Sequence, residues 1–176
     1  CRVEGYRQKA LLDLRYALLH SDLTAERFTA DHRVLSGREL ELAAEAPGLE
    51  TGPDLTVAAQ RLPGFARFLD WETQAGQTFL DEIRGRVRVI ACLETDPWVV
   101  QAPDSLREVM EVPEEDALLL FSGPAEDVGT AAQEIAIRVG EAFEGVPSET
   151  RQALADGANT FERILPGPDR MYPDTD

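Results

Sequence analysis

Few side chains in this sequence have the type and spacing that chemistry requires. His20 and His32 stand twelve residues apart with no ligand pattern beside them, so they read as exposed histidines and not as a metal pair. Ser21 and Ser36 lack the strained turn of a nucleophile elbow. Ser122 lies in FSGP, a strand-to-helix turn whose backbone N–H groups could face a phosphate, but the lysine and glycine spacing of a true phosphate loop is missing. The acids of VPEED and LETDP read as solvated loop residues, so no catalytic constellation and no metal site is expected. The last residues, PGPDRMYPDTD, are different: three prolines and a glycine mark turns, yet Arg170, Met171 and Tyr172 make a contact surface. The chain opens at Cys1, enters a helical pattern at once, and is expected to be a piece of something larger.

The composition narrows the setting. A chain of 176 residues with 43% hydrophobic content can build one sizeable core with flanking arms. Cys1 and Cys92 are the only cysteines, which excludes a disulfide framework and suits a reducing cytoplasm. No run approaches the roughly 18 consecutive apolar residues of a membrane helix, and RVEGYRQKALLDLR spreads charge where a signal peptide has its apolar centre. Thirty-three acidic residues against 17 basic ones give a net charge of −16, which argues against a simple nucleic-acid surface, DNA included. The acids are dispersed and 16 of the cations are arginine, so the reading is a halophilic intracellular protein, or else an ordinary acidic one from a GC-rich genome.

These residues need elements to hold them. Residues 3 to 19 place Tyr6, Ala10, Leu14 and Ala17 at helical spacing, with Leu11 and Leu18 on an adjoining face. Residues 31 to 54 are rich in Gly, Pro and acids and read as a linker holding a short strand. From 55 onward LTVAAQRL, the turn LPGF and ARFLDWE predict a hairpin, with Leu69 and Trp71 on one face. GQTFLDEIRGR predicts a helix, VRVIACL a buried strand, DSLREVMEV a short helix and DALLLFSG another strand. In the last long segment Val128, Ala132, Ile135, Val139 and Ala142 form one stripe behind Pro124. The expected fold class is α+β: a two-layer domain with a four-stranded sheet and both main helices on one face. Trp71, Phe79, Leu119, Ile135 and Val139 are its expected core.

The run EGVPSETRQALADGANTFERILPGPDRMYPDTD resembles a segment of the E-type subunit (GatE) of archaeal glutamyl-tRNA(Gln) amidotransferase. In that family GVPEETR leads through a T-x-x-x-R strand into GxxRMYPETD; here the parts are Gly145 to Arg151, Thr160 with Arg163, and Gly167 to Asp176, with Asp174 at the usual Glu. LPGFARFL is similar to the family's LPGFAG turn, and VEGYRQKALLDLR to the helix that closes its cradle domain before an insertion. The family's HxDELP stretch survives only approximately, as Glu94, Asp96 and Pro97 in CLETDPW.

The resemblance implies a cradle end and linker at 1–54, a β2-α-β2-α insertion domain of the kind shared with bacterial aspartyl-tRNA synthetases at 55–145, and a return into the cradle at 146–176. It implies a cytoplasmic enzyme that, with the D-type amidase subunit as a heterodimer or heterotetramer, amidates Glu-tRNA(Gln) using ATP and Mg2+, whose ligands lie outside this chain. Alone, this piece is expected to be inactive. Arg163, Arg170 and Tyr172 become the expected contacts to tRNA(Gln) or to the cradle, since arginine forks suit phosphate and tyrosine stacks. Two alternatives stand beside this one: the insertion of a bacterial-type aspartyl-tRNA synthetase, against which the RMYPDTD exit speaks, and a regulatory ligand-binding module.

Overall fold

The computed structural model describes residues 2–21, 23–24, 26, 28–90, 99–145, 149–153 and 159–164. In chain order the elements are α1 (Arg2–Leu19), β1 (Arg33–Val34), α2 (Gly37–Ala43), β2 (Thr56–Leu62), α3 (Ala66–Leu69), β3 (Glu72–Gln74), β4 (Gln77–Thr78), α4 (Phe79–Ile90), β5 (Val100–Gln101), α5 (Asp104–Val109), β6 (Ala117–Gly123), α6 (Ala125–Ala142), β7 (Glu149–Ala153) and β8 (Asn159–Ile164). Helices and an antiparallel four-stranded sheet of order β1-β2-β6-β5 make the fold α+β.

The sheet is built around β6, and its sequence shows why. All seven residues of ALLLFSG are buried, the continuous apolar signature of a strand covered on both faces. Because side chains alternate across a strand, Ala117, Leu119 and Phe121 join the larger core, while Leu118 and Leu120 join a second, smaller one. The neighbour β2 divides in the same way, with Ala58 and Leu62 on the first face and Val57 and Ala59 on the second. Gln60 also points into the first face, where its amide donates to the Thr29 and Ala132 carbonyls at 2.8 and 3.1 Å.

Both main helices, α4 and α6, lie on that first face, and the expected stripe from Val128 to Ala142 is buried throughout. The second face carries a thinner layer in which Ala43 and Leu40 of α2 meet Leu106 of α5. The segment read as a linker supplies both β1 and α2: the short strand is as expected, and the helix is additional to it. Leu11, Leu14 and Leu18 of α1 belong to the larger core. The buried face of α1 is therefore centred on Arg7, Leu11, Leu14 and Leu18, with Ala17 partly buried against it, and Tyr6 is exposed, a correction to the stripe expected to run through Tyr6.

Two further expectations are corrected. The stretch 55–72 is no hairpin: β2 pairs with β6, from Thr56↔Gly123 to Leu62↔Ala117, and after the turn Phe65, Phe68 and Leu69 enter the core from a single turn of helix. Trp71 is half-buried against this core, whereas Phe79, Leu119, Ile135 and Val139 are buried as expected. VRVI is not strand but the end of α4; Ala91, Cys92 and Leu93 lie outside the described residues. The β preference of valine and isoleucine is a weak prior. Here Phe79, Ile83 and Val87 at helical spacing outweigh it. The helix start is also held: the Thr78 backbone N–H and hydroxyl donate to the Asp81 carboxylate at 2.8 and 3.3 Å, as in a capping box.

Candidate functional site

Arg163 lies on β8, opposite Thr150 of β7, in a hairpin whose register shifts between Thr150 and Arg151. This hairpin runs beside α4. Arg170 and Tyr172 lie outside the described residues, as do Glu94, Asp96 and Pro97. Of the three expected contact residues the structure thus describes one, by its backbone, on a strand beside α4.

Helix α4 is fastened to α1 and to α6 by ion pairs. Arg7 of α1 grips the Glu82 carboxylate of α4 through Nε at 2.5 Å and Nη2 at 3.3 Å, with both side chains 1% exposed. One turn on, Arg86 forks onto Glu141 of α6, with an Nη2–Oε1 distance of 2.9 Å, and its Nε lies 3.3 Å from Glu134. Arg138 of α6 is fully buried, its guanidinium carbon 4.8 Å from the centroid of the Phe79 ring. Bidentate, hydrogen-bonded arrangements of this kind are what allow charges to sit away from water. The network holds α1, α4 and α6 in one register and so sets the surface beside which β8 runs. Sequence reasoning missed these residues. A signal existed in Glu82 and Arg86, and in Glu134 and Arg138, each pair four apart and next to the apolar stripe.

A second feature faces solvent along α1. Three cavities adjoin there. One of about 630 Å³ is lined by Ser21, Leu23, Gly64, Arg67, Glu114 and Glu115. One of about 330 Å³ lies over Ala17, Arg67, Phe68 and Trp71, and one of about 240 Å³ over Tyr6, Lys9, Asp13, Trp71 and Glu72. The turn that forms the floor of the first is exacting. Gly64 has φ +70° and donates its N–H to Asp116 at 2.7 Å, and a Cβ there would stand 2.6 Å from Leu23. Asp116 also pairs with Arg61 at 2.6 Å. The Trp71 indole N–H donates to the Ala10 carbonyl of α1 at 3.0 Å. At the far end the Lys9 ammonium, 2.8 Å from Asp13, is held above its ordinary pKa by that hydrogen bond and charge.

Ser122, the residue of the FSGP turn, is buried within β6 opposite Val57, and the helix that follows is preceded by Pro124. Among the described residues no group of three or more His, Cys, Asp or Glu is placed to hold a metal ion. No helix among them is long and apolar enough to cross a membrane.

Known proteins are similar to this chain over most of its length. No protein-family model matches the chain. Over 88% of its length it is 31% identical to the E-type subunit of glutamyl-tRNA(Gln) amidotransferase from Sulfurisphaera tokodaii, of which it spans 24%. It is 35% identical to the protein of the same name from Caldivirga maquilingensis over 98% of this chain and 29% of that protein. With the Pyrococcus furiosus protein of that name it shares 36% identity over 68% of its length. The matches support the family of E-type amidotransferase subunits. The chain spans less than a third of the length of these family members.

Proposed function

We propose that the chain is part of the subunit of a tRNA-dependent amidotransferase that converts Glu-tRNA(Gln) to Gln-tRNA(Gln), working with the D-type amidase subunit as the source of ammonia. The observation that carries this reading is the near end-to-end similarity to the E-type subunits, on which the motifs GVPSETR and RMYPDTD fall in order. A carboxylate resists ammonia until its oxygen becomes a leaving group, and ATP with Mg2+ would supply that activation. The described residues do not fit a nucleotide. Ser122 is buried in the sheet, Pro124 has no N–H to offer a phosphate, and the one lysine, Lys9, is paired with Asp13. On this reading the phosphoryl-transfer chemistry belongs to the rest of the longer protein.

The chain then serves as an insertion module that holds its neighbours in place. Its ion-pinned helices adjoin the hairpin that carries Arg163, and the residues that follow would bring Arg170 and Tyr172 to the cradle or to the 3′ end of the charged tRNA. The test is conversion of Glu-tRNA(Gln) by the complete gene product with its amidase partner, assayed by the glutamine recovered from tRNA. ATP-dependent glutamine formation is expected, and its absence would overturn the reading. Arg170→Ala in that complex is expected to raise KM for Glu-tRNA(Gln) by about tenfold with an unchanged Tm, and to lower the salt slope of binding. A lowered Tm with unchanged KM would leave Arg170 a structural pin.

A further inference from the structure

The three cavities along α1 share residues: Arg67 lines the first and second, Trp71 the second and third. They form one groove. Tyr6, Asp13 and Ala17 recur along one side of α1 and Ser21 follows just past its end, so the groove runs along α1 from Tyr6 for about 20 Å at 1.5 Å per residue. An extended segment of about six or seven residues, at roughly 3.3 Å each, matches that length.

The lining states what such a segment must carry. Trp71 presents a half-buried ring whose one polar atom is already taken by Ala10, while Phe68, 2% exposed, lies beneath Arg67. Glu72, Glu114 and Glu115 are exposed along the walls. Lys9 and Asp13 offset each other, and the remaining cation, Arg67, lies over the Phe68 ring at 4.6 Å. Aromatic faces attract guanidinium and ammonium groups, and carboxylates beside them add to that attraction while repelling phosphate.

We propose that this groove docks an extended peptide segment of a protein partner, bearing arginine or lysine between apolar residues, and does not contact nucleic acid. The inference goes beyond the amidotransferase reading and does not depend on it, since it uses only the groove's shape and charge.

The test is fluorescence anisotropy in 0.3 M KCl with the complete protein and a labelled heptapeptide of alternating arginine and leucine. A glutamate-for-arginine version and a single-stranded oligouridine are the comparison probes. The arginine peptide alone is expected to bind. Its Kd should weaken by at least about tenfold in Glu114→Arg/Glu115→Arg, a change of exposed residues, and stay within about twofold in Glu41→Arg/Glu45→Arg on the opposite side of the sheet. Trp71→Phe, which keeps an aromatic face, should retain most of the binding. Equal weakening by both charge reversals would mean diffuse attraction to an acidic surface and would overturn the proposal. So would failure of the arginine peptide to bind, or oligouridine that competes with it.

Discussion

Glu82 and Arg7 are as far from water as the leucines around them, which is an expensive place for charge. Taking either ion out of water costs several kcal/mol, which the fork of hydrogen bonds between them helps to offset. The pair is thus more a specifier of how α1 meets α4 than a source of stability. Glu82→Ala is expected to cost about 3 to 5 kcal/mol, because it takes away the carboxylate onto which the buried Arg7 guanidinium is forked. The double change Arg7→Met/Glu82→Leu should recover most of that loss. Urea unfolding of both variants checks it, and a single variant within ~1 kcal/mol of the parent would mean that water reaches the pair. The spacing of Glu82 and Arg86 hinted at an ionic helix face, but the pairing of Glu82 with Arg7 was not legible in the chain. A charged residue on a helix is usually solvated, and which of them turns inward depends on a partner seventy-five residues away.

Elements behaved differently from residues. Helix α6 could be read directly: Pro124 before it, Glu126 and Asp127 in its first turn, and a clean apolar stripe. Ile135 sits in the middle of that stripe, fully buried between the sheet and α4. Ile135→Ala is expected to destabilise by about 2 to 5 kcal/mol through lost transfer energy and the cavity left behind; a loss below ~1 kcal/mol in urea would put that face outside the core. The hairpin and the VRVIACL strand failed for one reason. Both were short apolar runs whose local pattern fits either state, and tertiary packing decides such runs. Phe68 and Leu69 are adjacent and both buried, which a strand with one covered face cannot achieve.

At the scale of the whole molecule the net charge of −16 is the dominant fact. The three described arginines of the helix network are matched by three glutamates, Glu82, Glu134 and Glu141, so the excess negative charge lies elsewhere. Dispersed repulsion of this kind is screened over about 10 Å at 0.1 M salt and about 3 Å at 1 M. If the surface is adapted to high salt, the unfolding midpoint should rise between low salt and molar KCl. A midpoint indifferent to KCl and to sulfate would count against that origin. The salt response and the core substitutions are independent measurements, because screening leaves the apolar contacts of Ile135 unchanged.

Composition and periodicity determined that this is an acidic α+β chain and which helix face is apolar from Val128 to Ala142, and the resemblance of its motifs, RMYPDTD above all, pointed to the E-type amidotransferase subunits. These are local or additive properties, readable one window at a time. Only the tertiary structure decided that β2 pairs with β6 across more than fifty residues, that β1 and α2 complete and cover the sheet, and that charges on three helices meet in the core. The physical reason is that strand pairing and charge burial take their free energy from partners distant in sequence. A two-residue period marks a strand but carries no address for the strand beside it.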